Sequence, residues 1–191
     1  MTDIINKRYL KAHREMKAEP DIGLSKNIGL LTPEDVQPYG LFLPDIPSLM
    51  PPHGDEKKWT VVKSSTFIAC DGTLVDMALQ MKTDLASTPR IAKLIFGGPG
   101  RETPAACGHD RGYGSPGELY WNIFTHEFVE PDRKWWDEIV FKNGMMLCKT
   151  NKIKVHAYYR AVRMFGWAPW GRYRRAAKKN EEGRWHVDLE Q

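Results

Sequence analysis

A histidine and an aspartate stand next to each other in the most informative part of the chain. His109 and Asp110 fall in a predicted helix that begins at Thr103 and Pro104, and Tyr113 follows one turn after the histidine. The i, i+4 spacing places His109 and Tyr113 on one face of that helix. An imidazole there can take a proton from water, while the adjacent carboxylate holds a cation or faces the other way.

A second carboxylate can complete this arrangement. Asp137 lies in the next long predicted helix, within WWDEIVF. If the two helices pack antiparallel, Asp137 can accept the other ring N–H of His109 and so select the tautomer of the imidazole. The loop Gly97–Gly100 precedes the histidine, and its unshielded carbonyls are suitable oxygen ligands for a hard cation such as calcium.

The pattern HD-x-x-Y, after a G-P-G loop and before an aspartate on a second helix, resembles the phospholipase A-two site. The nearest form is the disulfide-free version built into parvovirus capsids, and the resemblance covers about residues 96–141. It implies that His109 is the base that activates water. Asp137 would orient the histidine, and Tyr113 would support Asp137 by a hydrogen bond.

The same resemblance implies a calcium site. Asp110 would bind the ion together with the carbonyls of Gly98 and Gly100. The expected activity is then calcium-dependent hydrolysis of a phospholipid or another ester.

A wider resemblance covers about residues 59–170. Four ordered blocks carry it: TDLASTPR, ACGHDRGY, WWDEIVFKNGM and YYRAVRMFGW. They are similar to a phage and prophage family catalogued as domain of unknown function 1353. Trp136, in place of the usual small residue, and a longer insertion after Tyr113 depart from the family pattern. The resemblance implies a phage origin and no particular activity.

Simpler interpretations compete with each of these sites. His109, Asp110 and Asp137 can instead form a buried polar network that fixes how two helices pack. His126 and Glu127 begin a zinc-protease pattern but lack the second histidine, so a zinc site is not expected. The three cysteines fit core positions in a protein made in a reducing cytoplasm.

The predicted fold class is α+β, with a small antiparallel sheet followed by a helical body. Residues 1–58 are predicted to be a short helix and a proline-rich extended arm, which lies on the chain's own surface or a neighbour's. The body spans 59–170, and 171–191 form a basic and aromatic tail. Ser115 to Glu118 has the spacing of a capping box that would open a further helix.

Charge and composition limit the function classes. The net charge is +4 at pH 7, and the stretch 149–185 alone carries about +9, with eleven basic and two acidic residues. No apolar stretch approaches the roughly 20 residues that span a bilayer, and the N-terminus lacks a secretory pattern. The basic end predicts an anionic partner, and three classes stay open: an acidic protein surface, anionic lipid and, less favoured, nucleic acid.

Two hypotheses follow from these observations. The first is a structural component of a phage virion, associated with the tail, whose arms contact neighbouring virion proteins. The chain would be made in the cytoplasm of the bacterial host and end in the particle. The second is the calcium-dependent hydrolase with His109 as base.

Overall fold

A computed structural model describes residues 31–53, 58–83 and 100–187, with side chains up to residue 179. The described chain from Thr32 onward belongs to one compact unit. The helix predicted before Pro20 and the short helix predicted after Pro89 lie outside the described residues. None of the described helices is long and apolar enough to cross a membrane.

Within the described ranges, eight short strands form three antiparallel sheets. One sheet has the order β1-β4-β5, the second β2-β3-β6, and β7 with β8 makes a hairpin. Their bounds are β1 Leu41–Leu43, β2 Ser48–Met50, β3 Trp59–Lys63, β4 Ser65–Ile68, β5 Leu74–Met77, β6 Lys82–Thr83, β7 Tyr120–Asn122 and β8 Glu127–Val129. A bridge between Thr73 and Asn122 joins the hairpin to the first sheet.

Apart from a helical turn at Pro33–Val36, the described part of the proline-rich arm is extended, and it supplies the edge strands β1 and β2 of two sheets. Phe42 of β1 pairs with Phe67 of β4, and their rings lie 5.1 Å apart. Leu49 of β2 pairs with Val61 of β3. These apolar side chains of the arm therefore pack within the unit. This explains why the arm has more apolar residues than a disordered linker has.

The chain reverses between β4 and β5, where Asp71-Gly72 is typical of a turn. Gly72 has a φ of +88° in the turn, and its N–H donates to the carbonyl of Ala69. A positive φ costs glycine little, so this position permits the reversal that pairs β4 with β5.

Helices make up the rest of the described chain. A single turn, α1 (Pro33–Val36), precedes the strands, and α2 (Thr103–Gly114), the helix predicted to carry His109, lies between β6 and β7 in the chain. The second predicted long helix consists of three consecutive segments, here called the central helix: α3 (Arg133–Trp135), a π-helical segment (Trp136–Asn143) and α4 (Gly144–Leu147). The last two helices are α5 (Lys152–Phe165) and α6 (Trp167–Val187).

The α+β prediction is thus confirmed, and two local predictions differ from the structure. Ser115–Glu118 does not open a helix, because the Glu118 carboxylate pairs with Arg111 of α2 and the chain turns into β7. The predicted basic tail is the helix α6. Its Pro169 falls in the first turn, where the missing N–H costs no internal hydrogen bond.

Helix α2 lies between the sheets and the central helix. One apolar cluster joins β3, β4 and β5 to α2 and the central helix through Val61, Phe67, Val75, Cys107 and Val140. A second cluster joins α2, the central helix and α5 through Ala105, Phe141, Met145, Val155 and Val162. The central helix is therefore held on both sides, and its buried face is fixed relative to α2.

Gly112 allows the two helices to approach closely. A Cβ atom built at Gly112 would overlap the indole of Trp136, which is fully buried. Because the indole cannot move into open space, a larger residue at 112 must push the helices apart.

We expect Gly112→Ala to lower the free energy of unfolding by about 1 to 3 kcal/mol through overpacking. The matched control is Gly114→Ala in the same helix, where a Cβ meets nothing within 4 Å. Denaturant unfolding of both variants measures the effect. Equal stabilities for the two variants would contradict the packing described for Trp136.

Candidate active site

The structure brings His109, Tyr113 and Asp137 together. His109 Nε2 lies 2.8 Å from Asp137 Oδ1, and the Tyr113 hydroxyl donates to the same oxygen over 2.7 Å. Helix α2 supplies the first two residues from adjacent turns of one face, and the π-helical segment supplies the aspartate. Tyr113 and His109 are 1% exposed, and Asp137 is 0% exposed.

Two guanidinium groups bind the other oxygen of Asp137. Arg163 of α5 donates to Oδ2 over 2.8 Å, and Arg133 of α3 lies 3.5 Å from the same atom. Arg133 also donates to the carbonyls of Val162 and Arg163 at the end of α5. The buried carboxylate therefore connects α2, the central helix and α5.

Asp137 is held as a carboxylate. Burial by itself raises its pKa, but the hydrogen bonds from His109, Tyr113 and Arg163 outweigh burial, and the net pKa lies below the ordinary value of 3.8. The hydrogen bond to Asp137 raises the pKa of Arg163. Burial first, and then the Asp137 charge, raises the pKa of Tyr113, so its hydroxyl stays protonated and remains a donor.

The charge on Asp137 determines the tautomer of His109. A carboxylate only accepts hydrogen bonds, so Nε2 must carry the proton that it donates. In the neutral imidazole the lone pair is then on Nδ1. Nδ1 is buried and has no hydrogen-bond partner among the described residues. The arrangement therefore leaves a buried basic nitrogen, Nδ1, on a ring that Asp137 orients through Nε2.

Aromatic rings hold the imidazole in place. The ring of His109 lies 4.2 Å from that of Tyr113 and 4.9 Å from that of Phe141, measured between centroids. Tyr113 in turn packs edge-on against Trp170 of α6 at 5.0 Å. Because side chains in such contacts lose rotational freedom, the orientation of His109 depends on α6 as well as on the central helix.

The two described members of the predicted calcium site have hydrogen-bond partners within the fold. The Gly100 carbonyl accepts a hydrogen bond from Thr103 N–H at the start of α2, and the carboxylate of Asp110 accepts one from the Thr83 hydroxyl. Asp110 lies about 10 Å along the helix from Thr103, at 1.5 Å per residue. A calcium ion held by this set of oxygens stays a prediction.

Gly98, the other predicted carbonyl ligand, lies outside the described residues. Within the described ranges, no three acidic, histidine or cysteine side chains are grouped as metal ligands are. Asp110 instead lines a pocket of about 490 Å³ between α2 and the β5–β6 connection.

The tryptophans near the site do not occupy the position beside His109. Trp136 packs against Gly112 and Tyr120, and the indole N–H of Trp135 donates to Asp71. Trp121 packs against Phe128 within the hairpin. The insertion after Tyr113 therefore forms a hairpin joined to the first sheet at Asn122.

Sequence reasoning missed both arginines that bind Asp137. The i, i+4 spacing of Arg133 and Asp137 was a readable signal for one of them. Arg163 follows the buried Val162 in α5, and nothing in the local spacing marks it as a partner of Asp137. The π-helical segment, a feature that occurs often at functional sites, had no signal in the apolar spacing.

No protein-family model matches this chain, and no curated protein or solved structure matches it either. The resemblances to the phage family and to phospholipases remain predictions. The geometry of the described residues is the remaining basis for assigning a function.

We expect Asp137→Asn to lower the free energy of unfolding at neutral pH by about 3 to 5 kcal/mol, because the buried amide carries no charge and sets an N–H group against the donors of His109, Tyr113 or Arg163. The matched control is Glu138→Gln, which removes only a 3.5 Å surface pair with Lys142 and should cost less than about 1 kcal/mol. Chemical denaturation measures both.

The pH dependence gives a second test of the same carboxylate. Since the folded pKa of Asp137 is below its unfolded value, its stabilisation is complete above about pH 4 and is lost as the pH falls through the folded pKa. The stability difference between the native chain and Asp137→Asn should therefore shrink on acidification. A difference that stays constant down to acid unfolding would contradict an ionised Asp137.

Proposed function

We propose that this chain is a hydrolase in which His109 is the general base and Asp137 orients it. The observation that carries the proposal is the unequal pairing of the two ring nitrogens. Nε2 is bound to a carboxylate, and buried Nδ1 has no partner among the described residues. A buried polar atom without a partner is costly, so such atoms require an explanation, and a catalytic role is one.

The reaction proposed is hydrolysis of an ester. Nδ1 takes a proton from water as the water oxygen attacks the ester carbonyl carbon, and the negative Asp137 stabilises the imidazolium that forms. The tetrahedral intermediate then expels the alcohol oxygen, which receives that proton from Nδ1. The products are a carboxylic acid and an alcohol, and His109 returns to its neutral form.

Tyr113 and Arg163 are positioning residues in this scheme. Each donates a hydrogen bond to Asp137 and so holds its carboxylate in place. The carboxylate in turn accepts the Nε2 proton of His109. A phospholipid or another ester is the substrate class proposed. No step of the reaction is assigned to calcium.

The test compares His109→Gln with the native chain on a series of nitrophenyl acyl esters and on phosphatidylglycerol. We expect the substitution to reduce kcat/KM by about 10² to 10⁴. The matched control is His156→Gln, an exposed histidine of α5, which should leave the rate unchanged. Near-UV circular dichroism confirms that both variants keep the native aromatic packing.

Tyr113→Phe separates positioning from chemistry. It retains the ring that packs on His109 and Trp170 but removes the hydroxyl that binds Asp137, so a partial loss of kcat is expected. Hydrolysis that is unaffected by His109→Gln, or no hydrolysis of any of these esters by the native chain, would contradict the proposal. The network would then be a packing device.

We propose a phage virion component as the second candidate. The exposed basic helix α6, described below, supports contact with a partner, whereas the described part of the N-terminal arm is used within the chain's own sheets. Mass spectrometry of particles purified from a lysogen that encodes this chain tests the candidate. The chain should be recovered in the particle, and its absence there would contradict a structural role.

A further inference from the structure

The outer side of α5 and the start of α6 expose large apolar side chains. Ile153 is 78% exposed, Met164 64%, Phe165 49% and Trp167 66%. Their neighbours on the inner side of α5, such as Val162, are buried in the second apolar cluster. These four residues are here called the apolar edge.

Part of the apolar edge forms one stripe along α5. Ile153 and Met164 are eleven residues apart, which is close to three helical turns, so they face the same way. The exposed Arg160 lies between them at i+7. The stripe is opposite Val155, Tyr158 and Val162, which face the core.

Helix α6 adds positive charge next to the apolar edge. Residues 167–179 contain five basic residues and no acidic residue. Arg174 is used inside the unit, where it stacks on Trp170. Four other basic side chains are exposed: Arg172, Arg175, Lys178 and Lys179.

We propose that the apolar edge and the exposed basic residues of α6 bind the surface of an anionic phospholipid bilayer. Amphipathic helices at such surfaces combine Trp, Phe or Leu with Lys and Arg in this way. The apolar side chains would enter the boundary between head groups and acyl chains, and the basic side chains would contact the lipid phosphates.

Charge and shape favour a bilayer over the other polyanions. A nucleic acid also offers phosphates, but to bury Ile153 and Met164 it would have to be unstacked at two points about 16 Å apart, with an energetic cost at each. A protein partner would need a complementary pocket for each of these projecting side chains, whereas a fluid bilayer accepts them without one. The described surface thus fits lipid best, and the other two classes are outcomes of the test.

The surface is connected to the candidate active site. The inner side of α6 carries Trp170, which packs on Tyr113, the residue that donates to Asp137. Docking of α6 would therefore place the His109 site close to lipid. The inference stands without the hydrolysis proposed above, because binding can be measured on His109→Gln.

The experiment uses vesicle co-sedimentation of the full chain with phosphatidylcholine alone and with added phosphatidylglycerol. We expect binding to the anionic vesicles, weakened by salt. Arg172→Gln with Arg175→Gln should weaken it roughly twenty-five-fold, at about a factor of five for each charge. Met164→Ser with Trp167→Ser should weaken it at least tenfold.

The matched control is Ile46→Ser with Leu119→Ser, which removes exposed apolar side chains from other parts of the surface. This control should bind as the native chain does. Hydrolysis of a soluble nitrophenyl ester, measured on every variant, separates the two proposals because it needs no lipid surface.

Three results would overturn the inference. They are no binding to anionic vesicles, binding that the apolar-edge variant leaves unchanged, and binding to duplex DNA or polyglutamate as tight as binding to vesicles. Loss of ester hydrolysis in His109→Gln together with intact vesicle binding would support both proposals. Vesicle binding without any hydrolysis would support the lipid-binding surface and contradict the proposed hydrolase.

Discussion

The carboxylate of Asp137 is the constraint on which the arrangement of the helices depends. A fully buried charge is costly unless it is paired and hydrogen-bonded, and this one is bound by His109, Tyr113 and Arg163, with Arg133 close by. These partners come from α2, α5 and the central helix itself. If any of the three helices moved, a buried charge would lose a donor, so the polar network defines a single packing arrangement.

The apolar contacts agree with that arrangement. Gly112 lets Trp136 lie against α2, and Phe141 lies against the ring of His109 in the same turn region as Asp137. Trp170 packs on Tyr113, and this contact fixes α6 relative to α2. The same interactions thus orient the histidine and attach the basic helix, which links the proposed chemistry to the proposed lipid surface.

Local patterns in the sequence predicted His109, Tyr113 and Asp137, but they did not predict the side chains that surround these three residues. The helix with His109 and Tyr113 on one face follows from spacing, and Asp137 was expected opposite the histidine because an imidazole needs such a partner. Arg163 could not be found this way, since its contact depends on how α5 crosses the central helix. The Ser115–Glu118 pattern was misread because Glu118 pairs with Arg111, a contact that local propensity does not encode.

Nitrogen-15 NMR of the His109 ring tests the central claim most directly. We expect that the neutral form of the ring carries its proton on Nε2 and a lone pair on Nδ1, and that Asp137→Asn disturbs this tautomer while Glu138→Gln does not. His109→Gln assigns the signals. A proton found on Nδ1, or a ring state that does not respond to Asp137→Asn, would contradict the account.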